Sequence, residues 1–201
     1  MIIIDRERLN ELLIKDDIEN EVEKNKEFIF GLIPELKEEV GFEQNNDWHI
    51  YDVWEHTKKA MANSENKVDI RLALLLHDIG KTKCYQEDED GTRHFKGHAK
   101  KSAEMAKEIL ERLEYTPQQI ELETCLIEDH STIIDTDLIT RRNLGFFKKL
   151  LDMQYADVKA YNPEKVMYAT EKLDKVKLKM YEIEMDWHKK DREKMQNNSE
   201  R

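Results

Sequence analysis

An all-α helical bundle with a long C-terminal helix is the fold this chain predicts, and three observations point to it. Six glycines and three prolines punctuate 201 residues, too few turn residues for a strand-rich fold. Glu, Lys, Leu and Ile are abundant while β-branched runs suited to strands are few. Apolar residues recur at helical spacing in one segment after another. No glycine- or proline-rich linker divides the chain, so a single domain over 1–201 is expected. Within it, 1–30 form a helical appendage, 31–162 the core and 163–196 a C-terminal helix.

Taken in order, Leu9, Leu12, Leu13, Ile18, Val22 and Phe28-Ile29 stand among many charges, the pattern of one or two amphipathic helices. Pro34 opens a short helix that ends at Gly41, and an irregular polar stretch with aromatics follows to Ile50. Asp52 or a neighbour starts a helix over Val53–Met61 that leaves His56 on or beside its buried stripe. After a polar break at Asn63–Asn66 comes the central stretch, Leu72-Ala73-Leu74-Leu75-Leu76-His77-Asp78-Ile79-Gly80-Lys81. An unbroken apolar run there delivers a histidine and an aspartate side by side and stops at Gly80, a residue suited to a left-handed C-terminal cap.

Beyond it, Glu87-Asp88-Glu89-Asp90-Gly91-Thr92 is a turn, around which Tyr85 and Phe95 are placed to pair as a hairpin. Helical periods resume at His98 through Leu113, and Thr116-Pro117-Gln118-Gln119 matches a capping box that opens a helix running to His130. Cys125, inside that helix, reads as core. Residues 131–142 are a loop, Leu144–Tyr161 a helix carrying Asp157, and Asn162-Pro163 the cap of the last helix. There Val166, Ala169, Leu173, Val176, Met180, Ile183 and Trp187 alternate steps of three and four. That seam serves either packing along the domain or pairing of two chains into a homodimer. Asn197–Arg201 is expected to be a disordered tail.

The net charge of −11 disfavours broad electrostatic binding to nucleic acid but leaves room for a local basic patch. Met1–Ile4 is followed at once by charges, unlike a signal peptide, and no stretch approaches a membrane span. Cys84 and Cys125 lack any paired spacing. A cytoplasmic protein without membrane contact is the expectation.

His56, His77, Asp78, His98, His130 and Asp157 all fall on or near apolar helical stripes or at helix ends. Any one imidazole alone is more often a hydrogen-bonded core or surface histidine. Asp78 stands out, since a carboxylate ending a Leu-rich helix is costly to bury without a cation. His94, in the acidic turn, and His188, in a charged helix end, have no assigned role, and His49 sits in a loop bordering the site.

The order H…HD…H…H…D, with the literal His77-Asp78-Ile79-Gly80-Lys81, resembles the HD-domain phosphohydrolase superfamily. More narrowly, Gly41–Asn46, His49–Thr57 and His94–Ala99 resemble the HD region attached to some bacterial tRNA nucleotidyltransferases, over roughly residues 32–162. The resemblance implies an HD-domain helical bundle that holds a divalent metal (Mg, Mn, Co, Ni, Zn or Fe) through His56, His77, Asp78 and Asp157. His98 and His130 then complete a second metal site or contact the substrate phosphate, giving one or two ions per chain. The chain leaves no room for a nucleotidyltransferase head, so CCA addition is not expected of it. Glu128-Asp129-His130 also lacks the His-His pair of many two-metal members.

The expected activity is hydrolysis of a phosphate monoester or cyclic phosphodiester of a nucleotide or an RNA terminus. Asp78, Lys81, His98 and His130 are the catalytic candidates; Arg141 or Arg142 are weaker ones for phosphate charge, and Asn45 and His49 for the substrate entrance. The alternatives are a metal-dependent nucleotide-binding or sensing module, and an interaction protein in which the metal only stabilises the bundle.

Overall fold

Helix α5 (Val68–Leu76) is the axis of the structure, with Ile70 through Leu76 all buried. Apart from Asp69 and Arg71 this helix is apolar all round, a composition that is stable only in an interior. Around it in this computed structural model, which describes residues 2–199, pack α1 (Ile2–Leu13), α4 (Val53–Ala62), α7 (His98–Arg112), α8 (Pro117–Asp129) and α9 (Leu144–Val158). The described residues are mostly helical, and the chain is an all-α protein with a long last helix, α10 (Pro163–Ser199).

The first three helices, α1, α2 (Ile18–Lys24) and α3 (Lys26–Leu32), send Leu9, Leu13, Val22, Ile29 and Phe30 into the same hydrophobic cluster as α5. Arg71, buried on α5, fastens them. Its Nη1 donates to the carbonyls of Leu13 (2.7 Å) and Lys15 (2.6 Å), groups left without a helical partner where α1 ends. Asp52 caps α4 by accepting from the Glu55 N–H at 2.7 Å, and Thr116 with Gln119 forms the expected capping box on α8.

The expected hairpin is present as β1 (Gln86–Glu87) and β2 (Arg93–His94), with Gln86 opposite His94. Tyr85 and Phe95 do not pair with each other; each packs on Phe42, at ring-centroid distances of 5.2 and 6.4 Å. Arg93 ties the hairpin to the 41–50 loop, its N–H donating to Asn45 O (3.0 Å) and its Nη1 to Glu43 O (2.6 Å).

Helix α10 lies along α9 and the short 3-10 turn Thr136–Leu138, burying Val176 and Met180 and half-burying Leu173, Ile183 and Trp187. The seam is therefore used within the domain. Three expectations are corrected. Helix α10 continues through Asn197 to Ser199 rather than dissolving into a tail, and residues 200–201 lie outside the described ones. Cys125 is exposed, not core. Gly80 has φ −77° and ψ −14°, an ordinary helical conformation and not a left-handed cap. Among the described residues no helix is long and apolar enough to cross a membrane.

Glu123 on α8 is buried with Oε2 unpartnered. Burial, and then the charge of Asp69, push its carboxyl well above the usual range, with Lys149 opposing. A carboxyl that keeps its proton in the folded chain contributes its full stability at low pH and loses it as pH rises past the ordinary carboxylate value. Glu123→Gln is accordingly expected to melt higher than the parent at about pH 8, the gap closing towards pH 4.5. Thermal melts of both proteins across that range check it; a gap that does not change with pH removes the explanation.

Candidate metal centre

The site forms where α4, α5, α7, α8 and α9 meet, and helix ends set its geometry. His77 follows the last residue of α5 and His130 the last residue of α8. Each directs Nδ1 at the carbonyl three residues back: Leu74 O at 2.7 Å and Ile127 O at 2.6 Å. His98, the first residue of α7, does the same with Phe95 O at 2.8 Å, and His56 on α4 approaches Ala160 O at 3.4 Å. A carbonyl only accepts, so Nδ1 carries the proton in each ring and Nε2 is turned inward.

Those inward nitrogens converge on two carboxylates. Asp78, in the turn 77–80 after α5, presents Oδ2 to His77 Nε2 (3.2 Å) and His56 Nε2 (3.5 Å), and Oδ1 to His98 Nε2 (3.4 Å) and His130 Nε2 (3.8 Å). Asp157, near the end of α9, lies 2.9 Å from His56 Nε2 and 3.5 Å from His77 Nε2. Asp78 is thus common to two groupings, His56-His77-Asp78 and Asp78-His98-His130, while His77, His130 and Asp157 form a third. All six sequence candidates are brought together. Lys81 joins them, its Nζ 2.6 Å from Asp78 Oδ2 and bonded to Gln44 Oε1 at 2.7 Å.

The electrostatics call for a cation. Asp78 Oδ1 is buried without a hydrogen-bond partner, and Oδ2 is met by the Lys81 ammonium. His98 Nε2 and His130 Nε2 face each other at 3.2 Å. With both Nδ1 atoms protonated, two lone pairs oppose one another unless a positive centre lies near. Burial, helped by other cationic groups, lowers His130 to about 3 and also lowers His98, so neither ring takes up a proton readily. Burial alone would lower His77 too, but the Asp78 charge and the Asp157 contact outweigh it and push this ring up to about 10. Burial alone would raise both aspartates, but they are held well below the usual range, Asp78 chiefly by the charges of His77 and Lys81, Asp157 by its contacts with His56 and His77. The His77 proton occupies the place of a cation; with it displaced, imidazole nitrogens and ionised carboxylates are the donors of a borderline or hard divalent ion, and the residues present fit one.

Two contributors carried no role in the sequence reading. Tyr161 Oη donates to Asp157 Oδ2 at 3.1 Å, the kind of outer contact that orients a metal-binding carboxylate. Gln44 is buried and fixes Lys81. His49 borders the site as expected, its ring centroid 5.0 Å from that of His56 and 4.9 Å from that of Tyr161. Arg141 does not reach the site; it is bound to Asp191 and to Trp187 O on α10.

Above the centre opens a cavity of about 750 Å³ whose lining includes Asp78, His98, His130 and Asp157, together with Lys81, Arg93, His94 and Lys96. Lys81, Arg93 and Lys96 bring positive charge to a lining that also holds Asp47, Asp78 and Asp157, on a chain of net charge −11. Asn45 and His49 also line it.

A helical bundle that gathers imidazoles and carboxylates around a buried, unpartnered carboxylate oxygen is the architecture of a divalent-metal protein. The HD domain family matches residues 47–175, more than half of the chain. The chain belongs to that family, which places it in the superfamily of metal-dependent phosphohydrolases. Among curated proteins it is 30% identical over 139 residues to an A-adding tRNA nucleotidyltransferase of Deinococcus radiodurans, covering 64% of this chain and 32% of that enzyme. It is 35% identical over 104 residues to a CC-adding tRNA nucleotidyltransferase of Thermus thermophilus, covering 49% of this chain and 24% of the relative. The chain therefore spans no more than about a third of the length of these two relatives.

Proposed function

We propose that this chain hydrolyses phosphate monoesters or cyclic phosphodiesters, with nucleotides or RNA termini as the substrate class, and acts as one domain over 1–201. The observation that carries the reading is the convergence of four imidazole Nε2 atoms on buried Asp78, whose Oδ1 has no hydrogen-bond partner, at the base of a cavity lined also by Lys81, Arg93 and Lys96. The two relatives are named for work on tRNA, which favours an RNA terminus among phosphate esters.

In this reading His56, His77, Asp78 and Asp157 hold a divalent ion, and His98 and His130 either hold a second with Asp78 Oδ1 or meet the substrate phosphate. The ion supplies Lewis acidity and a water of lowered pKa. Asp78 orients the rings around it, and Tyr161 fixes Asp157 so that its free geometry is small. Lys81, held by Gln44, places a positive charge beside Asp78 where a phosphoryl oxygen gathers charge. Arg93 and Lys96 offset the charge of an incoming anion, and His98 and His130, both lowered by burial, stay neutral with Nε2 free to bind a ligand.

A screen of phosphate esters and cyclic phosphates, crossed with Mg, Mn, Co, Ni, Zn and Fe, tests the proposal. Phosphate or monoester release that needs the metal and stops with chelator is the expected result. Tight metal and nucleotide binding with no turnover across the panel would replace it with a nucleotide-binding or sensing module.

A further inference from the structure

A second cavity of about 320 Å³ opens beside the first and shares His49, His130, Asp157 and Tyr161 with it, so the two are lobes of one groove. Their chemistries differ. The first lobe alone is lined by Lys81, Arg93, His94 and Lys96, the second alone by Ile133, Val158, Tyr168, Lys172 and Leu173, and Trp48 lines both. Trp48 and Tyr168 are 39% and 54% exposed although both are large aromatics. Their ring centroids lie 6.3 Å apart at an interplanar angle of 46°, so neither ring covers the other. Trp48 is not loosely held: its carbonyl accepts from the Asn162 N–H at 2.8 Å, and its ring meets Tyr161 edge-on at 6.1 Å. Tyr161 in turn bonds Asp157. The aromatic shelf is thus coupled through one residue to the metal-binding cluster.

We propose that Trp48 and Tyr168, with Lys172 beside them, form a subsite for the flat heteroaromatic ring of the ester whose phosphate sits at the metal centre. Helix α10 then supplies a specificity-determining wall of the site. A groove with a cationic lobe and an aromatic lobe matches a ligand that is an anion at one end and a planar ring at the other. Water-exposed rings offer a π-face that any base can stack upon. Lys172 Nζ, 4.3 Å from the Tyr168 ring centroid, keeps a positive charge at the shelf for further anionic groups on the ligand. The placement of the phosphate rests on the phosphohydrolase reading; the shelf itself does not.

Two measurements on the full chain test it. Wild-type kcat/KM is expected to favour adenosine monophosphate over ribose phosphate, the same ester without its base. Tyr168→Ala should cut that preference about tenfold, the scale of one base–aromatic stack, while Tyr168→Phe keeps it. Independently of turnover, adenosine alone should quench tryptophan emission, with the quench lost in Trp48→Phe and the affinity reduced in Tyr168→Ala. Equal use of both esters, or an equal loss on both in Tyr168→Ala, overturns the shelf and leaves the hydrolase standing. If no ester is cleaved the hydrolase reading fails, and adenosine binding alone decides the shelf. Dissociation of a dimer by Tyr168→Ala overturns it in favour of a second copy of the chain as the occupant.

Discussion

Asp78→Ala is expected to reduce metal-dependent phosphate release by roughly 10³-fold or more while far-UV circular dichroism stays that of the parent. The size of the effect follows from position. Oδ2 of this carboxylate faces His56 and His77 and Oδ1 faces His98 and His130, so a single truncation takes a donor from both groupings. Loss of His98 alone would leave the other grouping complete. The fold should survive because the charge balance adjusts. The Asp78 charge is the largest influence holding a proton on His77, so without it the buried ring tends to neutrality. Lys81 keeps its bond to Gln44. Asp78→Asn preserves the volume and removes the charge, and the same loss in that variant assigns the effect to metal binding rather than to a cavity. Bound metal measured on each protein accompanies the rates. Turnover within about tenfold of the parent, with metal retained, would place the chemistry elsewhere.

The site was legible in sequence where local pattern sets position. His77 and Asp78 end an apolar helix, and a helix end is where orphan carbonyls wait to accept the imidazole Nδ1–H. His56 and Asp157 were visible as polar residues on or near buried stripes. Tyr161 lies four residues after Asp157, a spacing that puts two side chains on one face of the helix expected to Tyr161; α9 ends at Val158, and a turn beyond it brings Tyr161 back to Asp157. Gln44 had no such signal: it sits in an irregular loop, and its bond to Lys81 is purely tertiary. On α8 the assumption that apolar residues face inward failed twice at once. Residues two apart on a helix point to nearly opposite sides, and the packing against α5, α7 and α9 selects the side of Glu123, leaving Cys125 outside. Gly80 shows the same limit, since its position after a helix reads as a cap until the approach of α7 is known.

Gly80→Ala should lower the melting temperature by roughly 4–12 °C, about 2–3 kcal/mol of overpacking in a chain of this length. The backbone conformation tolerates alanine; space does not. A Cβ at Gly80 would lie 2.6 Å from Ser102 N, 2.8 Å from His98 O and 2.9 Å from Ser102 Oγ. Two of those atoms are backbone in the first turns of α7, so no side-chain rotation relieves the contact and the helix itself must move. The Gly80 N–H also donates to Ser102 Oγ at 2.9 Å, a bond that shift would stretch. Because α7 begins with His98, its displacement carries that ring away from Asp78 Oδ1 and His130, and metal affinity should fall together with stability. Adding Ser102→Gly removes only the hydroxyl among the three close atoms and is expected not to restore the melting temperature. A rescue by Ser102→Gly would show that a side-chain contact, and not the helix backbone, limits this position; an unchanged melt and full metal binding in Gly80→Ala would show that α7 does not sit this close to the His77-Asp78 turn.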